Sequence, residues 1–164
     1  MKISRAMLLG LLITIPACAT SGKSSQTAKQ DIFVDLGGDA AGAQGLRPIE
    51  SASLPANSCG MVLWTLEGSR PSAVFQFVSG KQARINVAGK PVSLSRTDYD
   101  GASGYGVFER QTFQSPEGVT VEVTARFGLE FSGGAYLEQG LIKVRDAAGW
   151  SMVSPTAGIA GCRN

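Results

Sequence analysis

Val119-Thr120-Val121-Glu122-Val123-Thr124-Ala125-Arg126-Phe127 alternates without a break, apolar at the odd positions and polar at the even ones. Successive side chains of an extended chain point to opposite faces, so this stretch reads as a strand with one face on a core and the other in water. A half-exposed strand of this kind belongs to an antiparallel sheet. Immediately before it, Ser115-Pro116-Glu117-Gly118 links it to Phe113, and further upstream Ala88-Gly89-Lys90-Pro91 separates Ile85-Asn86-Val87 from Val92-Ser93-Leu94. Both links are hairpin signatures.

Working outward, turn signals recur about every 8–12 residues from Cys59 onward, the spacing of an all-β sandwich or barrel. About eight strands are expected, near Met61 to Leu66, Ala73 to Val78, Ala83 to Ala88, Val92 to Tyr99, Gly106 to Phe113, Val119 to Phe127, Tyr136 to Arg145 and Trp150 to Val153. The links are too short for the crossover helices that parallel strands need, which excludes a βαβ arrangement. The expected fold is therefore all-β, a small antiparallel meander closed as a barrel or packed as a sandwich. The 21 glycines among 164 residues suit many tight turns, and one domain is all that such a length supports. Trp64, Phe75, Phe77, Phe108, Phe113, Phe127, Phe131 and Trp150 fall in or beside the strands and are the expected core.

The N-terminus obeys different rules. Met1 to Arg5 carries two positive charges, an apolar run follows from Ala6 to Ile15, and small residues close it, the three-part order of a signal peptide. The run is about half of the roughly 20 residues that a membrane-crossing helix requires. Ile15-Pro16-Ala17-Cys18 resembles the lipobox of bacterial lipoprotein precursors, with an aliphatic residue three before the cysteine and a small one just before it. That resemblance implies removal of residues 1–17 and lipidation of Cys18, which anchors the chain to a membrane without a transmembrane segment. Ala19 is not aspartate, which by the same resemblance points to the outer membrane. Ala17-Cys18-Ala19 also fits an ordinary A-x-A cleavage site, so a soluble periplasmic or secreted protein stays open.

With Cys18 acylated, Cys59 and Cys162 are left as an even pair in an oxidising compartment, and a disulfide between them is expected. Two buried free thiols are the alternative. Residues 18–58 read as a flexible tether rich in Ser, Ala and Gly, and residues 59–164 as the disulfide-closed β-domain. Ile32-Phe33-Val34-Asp35-Leu36 interrupts the tether as an apolar segment that docks on the domain or meets a partner.

The chemistry that the sequence allows is narrow. Of 15 basic and 13 acidic residues, Lys2 and Arg5 leave with the signal, so 13 of each remain and the mature chain is neutral. No Lys or Arg cluster offers a footprint for phosphate backbones, so nucleic acid is not an expected partner. Histidine is absent, which removes the usual general base and the commonest metal ligand. Ser103 in Gly101-Ala102-Ser103-Gly104-Tyr105-Gly106 lacks the second glycine of a nucleophile elbow and any S-x-x-K lysine. Neither Gly80-Lys81 nor Gly89-Lys90 completes a phosphate loop, since Phe75 and Arg84 stand where the first glycine belongs. Glu109, Glu122, Glu130 and Glu138 read as solvated strand faces. No catalytic residue, no metal site and no cofactor is expected.

One loop carries a second resemblance. Ala102-Ser103-Gly104-Tyr105, between two expected strands, is similar over these few residues to the S-G-x-x-Y loop of the membrane-bound c-type lysozyme inhibitors. Those are lipoproteins with small β-barrels whose loop serine enters the lysozyme cleft. The similarity implies a partner-binding role for Ser103, Gly104 and Tyr105. The expected function is thus a non-enzymatic envelope lipoprotein that binds an envelope protein or wall component, with inhibition of a cell-wall hydrolase as the alternative.

Overall fold

The computed structural model describes residues 45–164. The expected signal peptide, the lipidation site Cys18 and the segment Ile32 to Leu36 lie outside the described residues. The described chain forms eight strands: β1 (Ser58–Thr65), β2 (Ala73–Val78), β3 (Ala83–Val87), β4 (Lys90–Gly104), β5 (Val107–Gln114), β6 (Thr120–Phe131), β7 (Gly134–Arg145) and β8 (Ser151–Arg163). Each pairs antiparallel with the next, and β8 returns to pair with β1, so the meander closes into a barrel without an edge. That closure decides between the barrel and the sandwich that the sequence left open.

The opening nonapeptide forms most of β6, and Val121, Val123 and Ala125 are buried inside as their alternation requires. Around them Phe75, Phe77 and Phe113 fill the centre, with Phe113 edge-on to both other rings at 5.2 Å. β8 supplies the complement. Ser154, Gly158 and Ala160 stand opposite Ile142, Leu63 and Met61, so small side chains on one strand leave room for large ones on its neighbours. Of the expected aromatic core, Trp64, Phe108, Phe127 and Trp150 are only half-buried, and Phe131 is exposed.

Topology gives the barrel two distinct ends. At the upper end turn the hairpins β2–β3, β4–β5 and β6–β7, and there the disulfide joins Cys59 to Cys162, directly opposite each other on β1 and β8. At the lower end turn β1–β2, β3–β4, β5–β6 and β7–β8, and there Leu46, Val87, Val92, Val119, Trp150 and Met152 pack against the core.

Residues 45–57, which the sequence assigned to the flexible tether, are instead strapped to the barrel. The Ala88 N–H donates to the Gly45 carbonyl at 2.9 Å, Arg47 N–H to Asn86 O at 2.9 Å, Ile49 N–H to Ala73 O at 2.7 Å, Gln76 Nε2 to Ser53 O at 2.7 Å and Arg163 Nη1 to Leu54 O at 2.9 Å. The expectation weighed only the scarcity of apolar residues. Backbone groups hold this strap, and any sequence can supply them.

Candidate functional site

β4 runs far beyond its neighbour β3. The pairing of β3 with β4 ends at Ala83 opposite Leu94, and that of β5 with β6 ends at Arg110 opposite Thr124. Above those points the β4–β5 hairpin is paired only with itself, and register shifts after Arg96 and Asp100 bend it.

Its tip is a two-residue turn. Tyr105 and Gly106 have φ of 59° and 73°, between the paired residues Gly104 and Val107. Positive φ at both central residues is the type I′ geometry that suits the strand twist, and a glycine second is its usual form. Tyr105 is the unusual member, because a bulky residue in left-handed backbone is disfavoured by about 1–2 kcal/mol. Its ring is half-buried against the core, which offsets that cost. A Cβ at Gly106 would collide with the Ser79 side chain of the β2–β3 turn, and one at Gly104 would lie 3.4 Å from the Phe127 ring. The tip therefore folds over the barrel mouth.

Beneath the tip lies Arg96. Val92, Leu94 and Arg96 share a strand face by alternation, so the side chain is aimed at the mouth and not at open water. Its Nη1 donates to Gly106 O at 2.9 Å and to Gln111 Oε1 at 2.8 Å. The guanidinium carbon is 4.9 Å from the Phe77 ring centroid, 4.7 Å from Tyr99 and 5.2 Å from Phe108. Tyr99 and Phe108 are themselves in contact, with centroids 4.3 Å apart. Gln111, only 3% exposed, turns its Nε2 to Met61 Sδ at 3.8 Å and so holds its oxygen towards the arginine. Among the described residues no carboxylate pairs with Arg96. Charge-assisted hydrogen bonds of about 1.5–3 kcal/mol and ring contacts of about 0.5–2 kcal/mol take its place.

Outside this cage, Asp98, Tyr99, Asp100, Arg110, Thr112 and Thr124 line a groove of about 260 Å³ on the wall formed by β4, β5 and β6, with Glu122 beside them. Arg110 pairs with Asp100. The hydrogen bond from Arg110, then that from the Gly101 N–H at 2.7 Å, then the Arg110 charge hold the Asp100 carboxyl below its ordinary range, and the same pairing raises Arg110. Glu122 faces Lys143 at 3.5 Å and Arg145 at 3.7 Å. Among the described residues no three His, Cys, Asp or Glu side chains converge as metal ligands.

The loop singled out in the sequence sits on this mouth. Ser103 is exposed on the flank of the tip, Gly104 is half-buried, and Tyr105 turns its ring inward, so only Ser103 is freely presented. Sequence reading missed Arg96, although a signal was there: a cation occupies the position where the Val92, Leu94 alternation calls for an apolar residue. Cys59 and Cys162 form the expected disulfide. Comparison with protein-family models, with curated proteins and with solved structures finds no match to this chain.

Proposed function

We propose that this protein is a non-enzymatic lipoprotein of the cell envelope, held at the outer membrane through Cys18, that binds an envelope protein or wall component with the upper end of its barrel. The observation that carries the reading is where exposed aromatic rings lie, since the large residues exposed on the lower half, Leu66, Leu141 and Val153, are all aliphatic. Large side chains at the upper end stay in water: Tyr99 at 54% exposure, Leu129 at 77%, Phe131 at 40% and Tyr136 at 51%. Phe131 and Tyr136 sit together on the β6–β7 hairpin, with centroids 5.2 Å apart. Exposed aromatic clusters of this kind favour partner surfaces. Gly45, through which the chain reaches its N-terminal part, is bonded to Ala88 at the lower end. A lipid anchor on that part leaves the upper end facing away from the attachment point.

Labelling with radioactive palmitate tests the anchor, with label lost in Cys18→Ser. Capture of envelope components by the intact lipoprotein tests the surface, with capture lost when Phe131 and Tyr136 are both replaced by Ser. Full-length protein in the cytosol with its leader attached and its thiols reduced would overturn the reading.

Inhibition of a cell-wall hydrolase is the second reading, favoured by the exposure of Ser103 on the flank of a narrow hairpin that outruns its pairing with both neighbouring strands. Wall lysis by c-type lysozyme is expected to be slowed by the wild-type protein and restored by Ser103→Ala. Equal inhibition by that variant would remove this version.

A further inference from the structure

We infer that the outer wall around β8 is a lipid-facing surface, on which the lower half of the barrel rests against the acyl layer of the membrane that carries the anchor. The inference rests on the lipid anchor of the proposed function, and it adds a second, non-covalent contact with the same membrane.

β8 is built inside out. Along β6 the outward positions are Thr120, Glu122, Thr124 and Arg126 and the inward ones Val121, Val123 and Ala125, the order of a strand that faces water. Along β8 the order reverses. Ser154 and Thr156 point inward and are fully buried, while Val153, Pro155, Ala157 and Ile159 point outward. Polar residues within and apolar ones without is the alternation of a strand whose outer face meets hydrocarbon. Leu63 and Ile142 account for small residues inside β8, but core packing asks nothing of its outward positions.

The neighbouring strands widen the strip. Register places Leu141 of β7 opposite Pro155 and Trp64 of β1 opposite Ala157, and Leu66 N–H donates to the Pro155 carbonyl at 3.1 Å. Leu66 is 59% exposed, Val153 55% and Leu141 45%. Apolar residues scattered singly over a surface need no explanation, whereas these adjoin one another on one wall.

Size, chemistry and tether identify the occupant. Two strand spacings across and the rise from Val153 to Ile159 make the strip roughly 10 Å by 20 Å, on the order of 200 Å². A standard protein interface buries about 800 Å² per partner, so a second copy of the chain or another protein would find too little here. Leucine and valine are also under-represented among the residues that dominate such interfaces, and the closed barrel leaves no strand edge to add backbone bonds. An acyl layer needs no directional groups. Residues 18–44 join Cys18 to Gly45, and covalent geometry limits that stretch to about 90 Å. A domain kept so close to a bilayer meets it repeatedly, so a contact too small to recruit a free protein suffices to orient an anchored one. β4 lies four strands away around the barrel, so its hairpin tip stays clear of the membrane.

The test places the intact lipoprotein in phosphatidylcholine nanodiscs that contain a lipid spin-labelled on its acyl chain, and reads amide NMR line broadening residue by residue. Broadening is expected to be strongest over residues 153–159, at Leu141 and at Leu66, and weak along β4 and β5. Leu141→Ser combined with Val153→Ser, both at exposed positions, is expected to lower the broadening of β8 to the level of β4 while palmitate labelling is kept. Should that pair fail to fold, the wild-type map decides. Broadening centred on another wall or equal on all walls overturns the inference, as does broadening that the double variant leaves unchanged. A dimer in detergent that the double variant dissociates overturns it too and gives the wall to a second copy. Palmitate on Cys18 with no broadening at β8 overturns this inference alone and leaves the anchor standing, whereas absence of palmitate on Cys18 removes both.

Discussion

The two ends of the barrel are closed by the same topology and by opposite chemistry. At the lower end the strap brings Leu46 onto Val87 and Val92 beside Trp150 and Met152, and the closure is apolar throughout. At the upper end a hairpin folds over a guanidinium held by two oxygens and three rings. An apolar closure gains from excluding water and needs no orientation, whereas a cationic one must find partners for its donors. One end is thus finished as core, and the other is closed over a charge.

Four experiments break or sharpen this contrast. Phe113→Ala removes the ring that touches both Phe75 and Phe77 at the waist of the barrel. It is expected to cost about 3–5 kcal/mol in denaturant unfolding, with amide exchange rising at both ends together. A rise confined to one end would show that the ends are separate cores. Replacing both Cys59 and Cys162 with Ser is expected to cost about 2–5 kcal/mol. Here exchange should rise first in β1 and β8 next to the upper mouth, since the lost bond lies there.

Next in size is a paired comparison of one turn at both ends. Ala88-Gly89, with φ of 52° and 83°, repeats at the lower end the geometry of Tyr105-Gly106 at the upper. Ala88→Gly relieves left-handed strain at an exposed residue and is expected to raise stability by up to about 1 kcal/mol. Tyr105→Gly relieves the same strain but removes a ring packed on the core, for an expected net loss of about 1–2 kcal/mol. Equal changes at the two sites, measured by thermal unfolding, would mean that the tyrosine ring contributes nothing to the mouth.

The smallest effect concerns Asp100. Its carboxyl titrates below the ordinary value because Arg110 and the Gly101 N–H favour the charged form. Its contribution to stability is therefore present above that ordinary value and is lost as pH falls through the lowered one. Both partners lie in water, so the side-chain carboxyl NMR shift is the readout, not the melting temperature. In Arg110→Gln the midpoint should move upward, and an unmoved midpoint would refute the pairing.

How far the fold could be read in advance depends on what each strand is made of. Val119 to Phe127 betrays itself because inward β6 positions are apolar and outward ones are polar. β8 hides, and the expected strand stops at Val153 whereas the real one runs to Arg163. Its inward residues Ser154, Thr156 and Gly158 are small or polar because β1 and β7 bring the bulk, and Pro155 reads as a stop signal. Its carbonyl nonetheless accepts from Leu66 N–H, one step beyond the end of β1, and it stays in register with Leu141 of β7. The bulge after Phe127, which turns the strand so that Phe131 ends up exposed, likewise leaves no trace in the alternation. The candidate site was half legible. Ser103 to Tyr105 announced a tight glycine-bounded turn, but the cage needs residues from β2, β4 and β5 whose meeting is set by long-range pairing. Arg96 could be flagged as a misplaced cation, yet nothing local says that Phe77 and Phe108 will surround it.

The bond between Cys59 and Cys162 spans 103 residues of sequence and ties the first strand to the last. Nearly the whole β-domain is thereby one covalent loop, and a protease that severs any single hairpin releases no fragment. The cut chain keeps its neighbours and becomes a rearranged order of the same strands, with new ends at the nick. Separation into pieces then requires a reductant as well as a blade.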